Sequence, residues 1–190
     1  MSGVIEFTGW PKIHRLAREC IITEKIDGTN AQVYITEDGD ILAGSRTRWL
    51  RPEADNFGFA KWVEGNRHEL MDLGPGHHFG EWFGAGIQRN YGLKEKFFTL
   101  FNVGRWHEYG HNGGGLPGSL PAPPCCMVVP VLATPATFSD VDVAIAMHDL
   151  AEYGSAMVPG FMRPEGVVLY HTVARVMFKK TFDNDEGGKG

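Results

Sequence analysis

No apolar run in the 190 residues approaches the roughly 20 that a membrane-spanning helix needs. The opening residues "MSGVIEFTGW" lack a basic segment followed by an apolar stretch, so no secretory signal is expected. Cysteine is scarce: Cys20, Cys125 and Cys126 are the three. Adjacent cysteines rarely pair with each other, and an odd count leaves a free thiol. A reducing, cytoplasmic setting is therefore expected. The Cys125-Cys126 pair has no C-x-x-C partner, which argues against a zinc site. The sequence also lacks internal repeats and an excess of basic residues, its net charge being −5. That balance excludes a strongly basic nucleic-acid coat. It does not exclude a local phosphate-binding face, because the bases are uneven. "PKIHRLAR" carries Lys12, Arg15 and Arg18 without an acid, and "SRTRWLR" carries Arg46, Arg48 and Arg51 likewise. Two solvated faces would explain the same segments.

What is present suits one folded domain: 43% hydrophobic and 22% charged residues. "ECIITEK" reads as a strand that ends at "DGT". "AQVYIT" and "ILAGSR" flank "EDGD" and read as a hairpin. A single helix is expected over "NFGFAKWVEGNRHELMDL", with Phe59, Trp62, Val63 and Leu70 near one face. "HHFGEWFG" and "KFFTLFNVGRW" read as strands. Residues 107–124, rich in Gly and Pro, read as a loop unable to pack a core. "SDVDVAIAMHDLAEYG" reads as a helix capped by Ser139 and stopped by Gly154. "EGVVLYH" and "ARVMFKKTF" form a last strand pair. The expectation is an α+β fold of mostly antiparallel sheet with flanking helices. It occupies residues 1–182, followed by a flexible tail over 183–190.

The chemistry gathers around "TEKIDGTN", residues 23–30. Lys25 ends a strand before a turn. A lysine there is either an ordinary surface residue or a nucleophile at the floor of a cleft. A nucleophilic lysine must be deprotonated, which desolvation and nearby cations favour. A phosphorus centre is a plausible electrophile if cations and a metal neutralise its oxygens. The chain also supplies a basic group (Arg46), carboxylates (Glu81, Glu165), an aromatic ring (Phe101) and a late lysine (Lys179).

In this order the sequence resembles the covalent nucleotidyltransferases: ATP-dependent RNA ligases, DNA ligases and mRNA capping enzymes. Their signature is K-x-D-G, an arginine motif, a carboxylate motif, an aromatic strand, E-G and a final lysine motif. Here the series runs from Lys25 to Lys179. K-x-D-G alone arises by chance in about one chain in twenty-five of this length, from average residue frequencies. The complete ordered series is far rarer. The form "EKIDGTN" and the "FGEW" motif look most like the RNA ligases related to the phage T4 RNA-editing-type enzyme and small phage and bacterial RNA ligase family proteins.

The resemblance implies a nucleotidyltransferase domain, an ATP-grasp-like adenylation fold. With about ten residues after the last motif, no oligonucleotide-binding (OB) barrel is expected behind it. It implies ATP, held as covalent AMP, and Mg2+ or Mn2+ as cofactors. The partner is a nucleic acid with 5′-phosphate and 3′-hydroxyl ends, RNA before DNA, acted on by a monomer. Lys25 would attack the α-phosphate, and Lys179 would neutralise it. Glu24 would meet the adenine edge, Asp27 and Gly28 would shape the turn, and Ile26 and Asn30 are carried with the same motif. Arg46 would hold ribose or the end phosphate. Glu81 would accept from ribose hydroxyls, Phe101 would stack on adenine and Glu165 would orient the hydrated metal.

One feature departs from the pattern: many relatives have two lysines spaced two apart, whereas here Lys179 and Lys180 are adjacent. Strand alternation assigns Lys179 to the more polar, pocket-side parity and Lys180 to the parity of Val176 and Phe178. Whether Lys180 contributes to the pocket stays open. So does a core role for Phe101, since buried aromatics are usually core. Trp82, Phe83 and Trp106 are expected to pack rather than stack on bases. His107 and His111 flank a flexible Gly-rich stretch and make a poor metal site. Two alternatives remain: a non-catalytic nucleotide- or RNA-end-binding module, and a DNA ligase catalytic domain acting with a partner.

Overall fold

The computed structural model describes residues 6–13, 15, 18–108 and 115–183. Of the expected tail over 183–190, residues 184–190 lie outside the described residues, as does His111. The fold is mixed α/β, mostly sheet with few helices, and two sheets dominate it. The first has four antiparallel strands in the order β10 (Val131–Thr137), β1 (Glu19–Lys25), β11 (Gly166–His171) and β12 (Val176–Thr181). The second has six, in the order β4 (Trp49–Leu50), β3 (Ile41–Ser45), β2 (Thr29–Ile35), β5 (Gly76–Gly84), β6 (Lys96–Leu100) and β9 (Cys126–Val128). A parallel pair, β7 (Trp106–His107) and β8 (Leu120–Pro121), completes the strands. The turn at residues 26–28 carries the chain from the first sheet into the second.

Each sheet buries one apolar face. Cys20 and Ile22 of β1 and Val167 and Leu169 of β11 pack with Ala146, Met147 and Leu150 of helix α3 (Asp140–Tyr153). Ser139 caps that helix by accepting from the Asp142 amide, and Gly154 follows it. The second sheet buries Ala31, Val33, Trp82, Phe98 and Leu100 with Phe59 and Val63 of helix α1 (Phe59–Gly65). Phe59 lies 5.4 Å from Trp82 and 5.2 Å from Phe98 between ring centroids. No helix among the described residues is long and apolar enough to cross a membrane.

Four local expectations need correction. The single helix over 56–73 is broken. α1 ends at Gly65, and a short α2 (Arg67–Leu70) leads into a 3-10 turn over Met71–Leu73. At Asn66 φ is −109° and ψ 14°, outside the helical region, and its backbone and side-chain amides both donate to Trp62 O, at 3.0 and 2.8 Å. β6 stops at Leu100 rather than running to Trp106. Asn102 Oδ1 accepts from the Arg105 amide at 3.1 Å and turns the chain. The segment after His107 does contribute to the core: Ala122 is buried and Leu116 packs against the cluster. Finally, β9 and β10 were not expected. β10 holds Pro135 and lies at a sheet edge, where a missing amide leaves no ladder bond broken.

Candidate active site

Register determines which side chains can meet. In the first sheet Lys25 pairs with Gly166, which pairs with Thr181; two rows away Thr23 pairs with Val168, which pairs with Lys179. Alternation therefore places Lys25 and Lys179 on one face. Lys180, in the row of Glu24 and Val167, lies on the face covered by α3. Gly166 has φ 149°, and a Cβ there would lie 2.1 Å from Lys180 O, so only glycine fits opposite Lys25.

Glu165 stands immediately before Gly166. The Lys25 ammonium donates to Glu165 Oε2 at 2.7 Å, and both side chains are partly exposed. The sequence separates these residues by 140 positions; antiparallel pairing of β1 with β11 unites them.

Glu81 approaches from the second sheet. It pairs with Asn30 across β2 and β5, and Asn30 Nδ2 donates to Glu81 Oε2 at 3.4 Å. Glu81 is 7% exposed. Burial pushes its carboxyl up to about 7. Lys25 pulls the other way, as does the Gly28 amide, while Glu165 and Asp27 add to the rise. Gly28 makes this approach possible, since a Cβ there would lie 2.4 Å from Trp82 O. Lys25, Glu165, Glu81 and Asp27 thus form one electrostatic cluster at the junction of the two sheets.

The turn itself is clamped by residues that the motif does not include. The Asp27 amide donates to the Tyr91 hydroxyl at 2.8 Å. Arg89 Nε lies 3.0 Å from Asp27 Oδ2. The same guanidinium reaches Asp183 and donates to Arg163 O at 3.2 Å. Ile26 is buried in the core. Glu24 is 1% exposed; its Oε2 accepts from the Met157 amide at 2.8 Å, while Oε1 is buried without a hydrogen-bond partner among the described residues. Burial raises the Glu24 carboxyl, and donors at residues 155–157 oppose the rise. Arg89, Tyr91 and the 155–157 segment carried no signal in the sequence, since each acts through a tertiary contact from a loop.

The remaining expected residues lie nearby but outside the cluster. Phe101 follows β6, and its amide donates to Phe79 O at 3.0 Å. It is 38% exposed, which argues against a purely core role. Arg46 lies in the β3–β4 turn beside Ser45, whose register partner is Ala31. It is exposed, with no side-chain partner among the described residues. Trp82 and Trp106 are packed in the core. All three cysteines are free.

Among the described residues no group of three His, Cys, Asp or Glu side chains could hold a metal ion. A caged resident metal therefore does not fit. Glu165 alone fits the other mode, in which one carboxylate and substrate phosphates share a hydrated Mg2+.

Comparison with known proteins gives a consistent picture. A sequence model of the family described as RNA ligase matches residues 18–181. No curated protein sequence matches the chain significantly. Among solved structures, the fold resembles a substituted Naegleria gruberi RNA ligase with ATP and Mn, at TM-score 0.54 and 20% identity. That alignment covers 87% of this chain and 50% of the other. A second substituted form, with AMP and Mn, aligns at TM-score 0.52 and 21% identity, covering 87% and 50%. An apo form aligns at TM-score 0.51 and 22% identity, covering 86% and 49%. The chain spans about half the length of these solved structures.

Proposed function

The chain belongs to the RNA ligase family, and from that premise we propose that it is an ATP-dependent polynucleotide ligase, RNA before DNA, working through a lysyl-AMP intermediate. One observation carries this reading: Lys25 and Glu165 in direct contact, with Glu81 in electrostatic reach of both. A surface lysine beside a turn would have no reason to meet two carboxylates drawn from separate sheets.

The residues then take these roles. Lys25 Nζ loses a proton and attacks the α-phosphorus of ATP; the P–N bond forms as the bond to pyrophosphate breaks. Glu165 holds the ammonium until then and is also the carboxylate suited to a hydrated Mg2+. That ion, when bound with the nucleotide, supplies charge neutralisation at the phosphates. Lys179, on the face of Lys25, is placed to share that neutralisation. Glu81 and Asn30 line the wall where ribose hydroxyls would lie. Phe101 offers a ring face to the adenine. The motif gives Glu24 to the adenine amino group; it lies in the row of Lys180, so it would reach the base past the end of β1, through Oε1, which has no hydrogen-bond partner among the described residues. The AMP next passes to a 5′-phosphate end, and a 3′-hydroxyl displaces it to close the strand. The solved Naegleria ligase forms that contain ATP or AMP with Mn support the choice of nucleotide and a divalent metal. We assign this catalysis to residues 1–182, acting as a monomer.

The test separates the first step from the last. Lys25→Ala should abolish joining of a 5′-phosphorylated strand with ATP and keep part of the sealing of a pre-adenylylated strand. Undiminished joining from ATP in that variant would place the nucleophile elsewhere.

A further inference from the structure

The face of the six-stranded sheet that carries Asn30 and Glu81 continues beyond them as a row of exposed rings. Alternation sets this out. Asn30, Gln32 and Tyr34 point to one face of β2, and Glu81, Phe79 and His77 are their register partners on β5. Toward the nucleophile the face is covered: Glu81 and Phe83 are buried. Away from it the face opens, and Phe79 is 55% exposed. Trp49 of edge strand β4, 48% exposed, completes the row.

The rings touch in sequence. Trp49 lies 5.9 Å from Tyr34, Tyr34 lies 4.3 Å from His77, and His77 lies 5.6 Å from Phe79, between centroids. The planes of His77 and Phe79 differ by 5°, and those of Trp49 and His77 by 20°. Phe101 adjoins Phe79 through the backbone hydrogen bond of its amide. The row therefore leads from the sheet edge to the residue that offers a ring to adenine. Isolated exposed apolar residues need no explanation, but a contiguous aromatic row does.

We infer that Trp49, Tyr34, His77 and Phe79 form a stacking platform for the bases of a single-stranded polynucleotide whose end is delivered to Lys25. The inference rests on the ligase reading above and adds where the strand lies. Three observations favour this occupant. The platform is a flat sheet face rather than a pocket, which suits base planes. It is interleaved with hydrogen-bonding groups: the His77 ring nitrogen Nδ1 lies 2.9 Å from Gln32 Oε1. Its charge is complementary to a polynucleotide backbone at the Trp49 end. Arg46 and Arg48 in the β3–β4 turn, and Arg51 just after β4, border the Trp49 end. Acids lie close as well: Glu53 and Asp55 follow Arg51, and Glu37, Asp38 and Asp40 form the β2–β3 turn next to Tyr34 and His77. Cationic residues tracking a backbone beside rings that stack any base is the arrangement that holds single strands without sequence preference.

The test uses the full chain, a fluorescein-labelled 12-mer of single-stranded RNA, and the same oligomer built from abasic units. Trp49→Ala and Phe79→Ala should each weaken binding of the 12-mer about ten- to a hundredfold, the usual loss per stacked base. The abasic oligomer, which loses every stacked base at once, should bind the unsubstituted protein more weakly than the 12-mer binds either variant. Circular dichroism melting checks that the variants are folded, and Phe79→Trp, which retains a ring, should restore binding. Equal affinity of folded variants and unsubstituted protein for the 12-mer would overturn the inference. So would a concentration-dependent dimer abolished by Trp49→Ala, which would give the face to a second copy of the chain. Lysyl-AMP formation by the unsubstituted protein tests the ligase reading separately. If the adduct forms and the variants bind RNA normally, the platform alone is wrong.

Discussion

Replacing Glu81 by Gln tests the electrostatics of the cluster through stability. The buried carboxyl is pushed from its ordinary 4.5 up to about 7. A carboxyl with a raised native pKa contributes most below its unfolded value, and that contribution is lost as pH rises through the folded value. The full gap corresponds to about 3 kcal/mol. Between pH 5 and pH 8.5, linkage makes most of it visible. Glutamine imitates the neutral acid and does not ionise. Glu81→Gln should therefore exceed the unsubstituted protein by about 1 kcal/mol at pH 5 and by about 3 kcal/mol at pH 8.5, without nucleotide. Urea unfolding at the two pH values measures this directly. A difference that does not change with pH, or one that favours the glutamate at pH 8.5, would refute the reasoning. The stabilised variant should still lose activity if Glu81 accepts from the ribose, which is the usual trade between a strained site and function.

Other expectations follow from the same geometry. Lys179→Ala should slow lysyl-AMP formation at least tenfold, about 1.4 kcal/mol of transition-state stabilisation, while Lys180→Ala should change it little. Equal or reversed effects in labelled-ATP assays would contradict the facing read from the register. The unsubstituted protein should strongly prefer ATP to GTP. Phe101→Ala should weaken ATP use and keep that preference, because a ring stacks on any purine. Glu24→Gln should erode it, since an amide can donate to the guanine carbonyl. Leaving a polar edge unpaired or opposed costs about 1–3 kcal/mol, so roughly ten- to a hundredfold selectivity is at stake. Tyr91→Phe removes the acceptor for the Asp27 amide; thermal or urea unfolding should show a loss of about 1 kcal/mol, with slower adduct formation.

The parts of this protein legible in its sequence are those fixed by local rules. The β2–β3 hairpin announced itself through "EDGD" between alternating apolar runs, and α3 through Ser139, Gly154 and its length. Alternation separates Lys179 from Lys180, but the core face expected from Val176 and Phe178 is open: both are exposed on edge strand β12. What escaped depends on partners distant in sequence. β9 joins β6 in parallel over a connection of some two dozen residues, and nothing in "CCMVV" specifies that neighbour. β10 carries Pro135, which reads as a strand breaker until its edge position is known. The break at Asn66 lies in the backbone angles of one residue. At the site, motif order named Lys25, Glu81 and Glu165, whereas Arg89 and Tyr91 were invisible. They lie in a loop where Asn90 and Tyr91 have φ of 62° and 53°, and only the fold brings that loop onto the Asp27 turn.

The central claim is that Lys25 is the covalent nucleophile, and intact-mass spectrometry tests it most directly. The protein is incubated with ATP and Mg2+, then digested to locate any adduct. The account predicts a gain of one AMP, about 329 Da, carried as a phosphoramide on Lys25. It also predicts none in Lys25→Ala. An unmodified protein, or an adduct mapped to another residue, would contradict it.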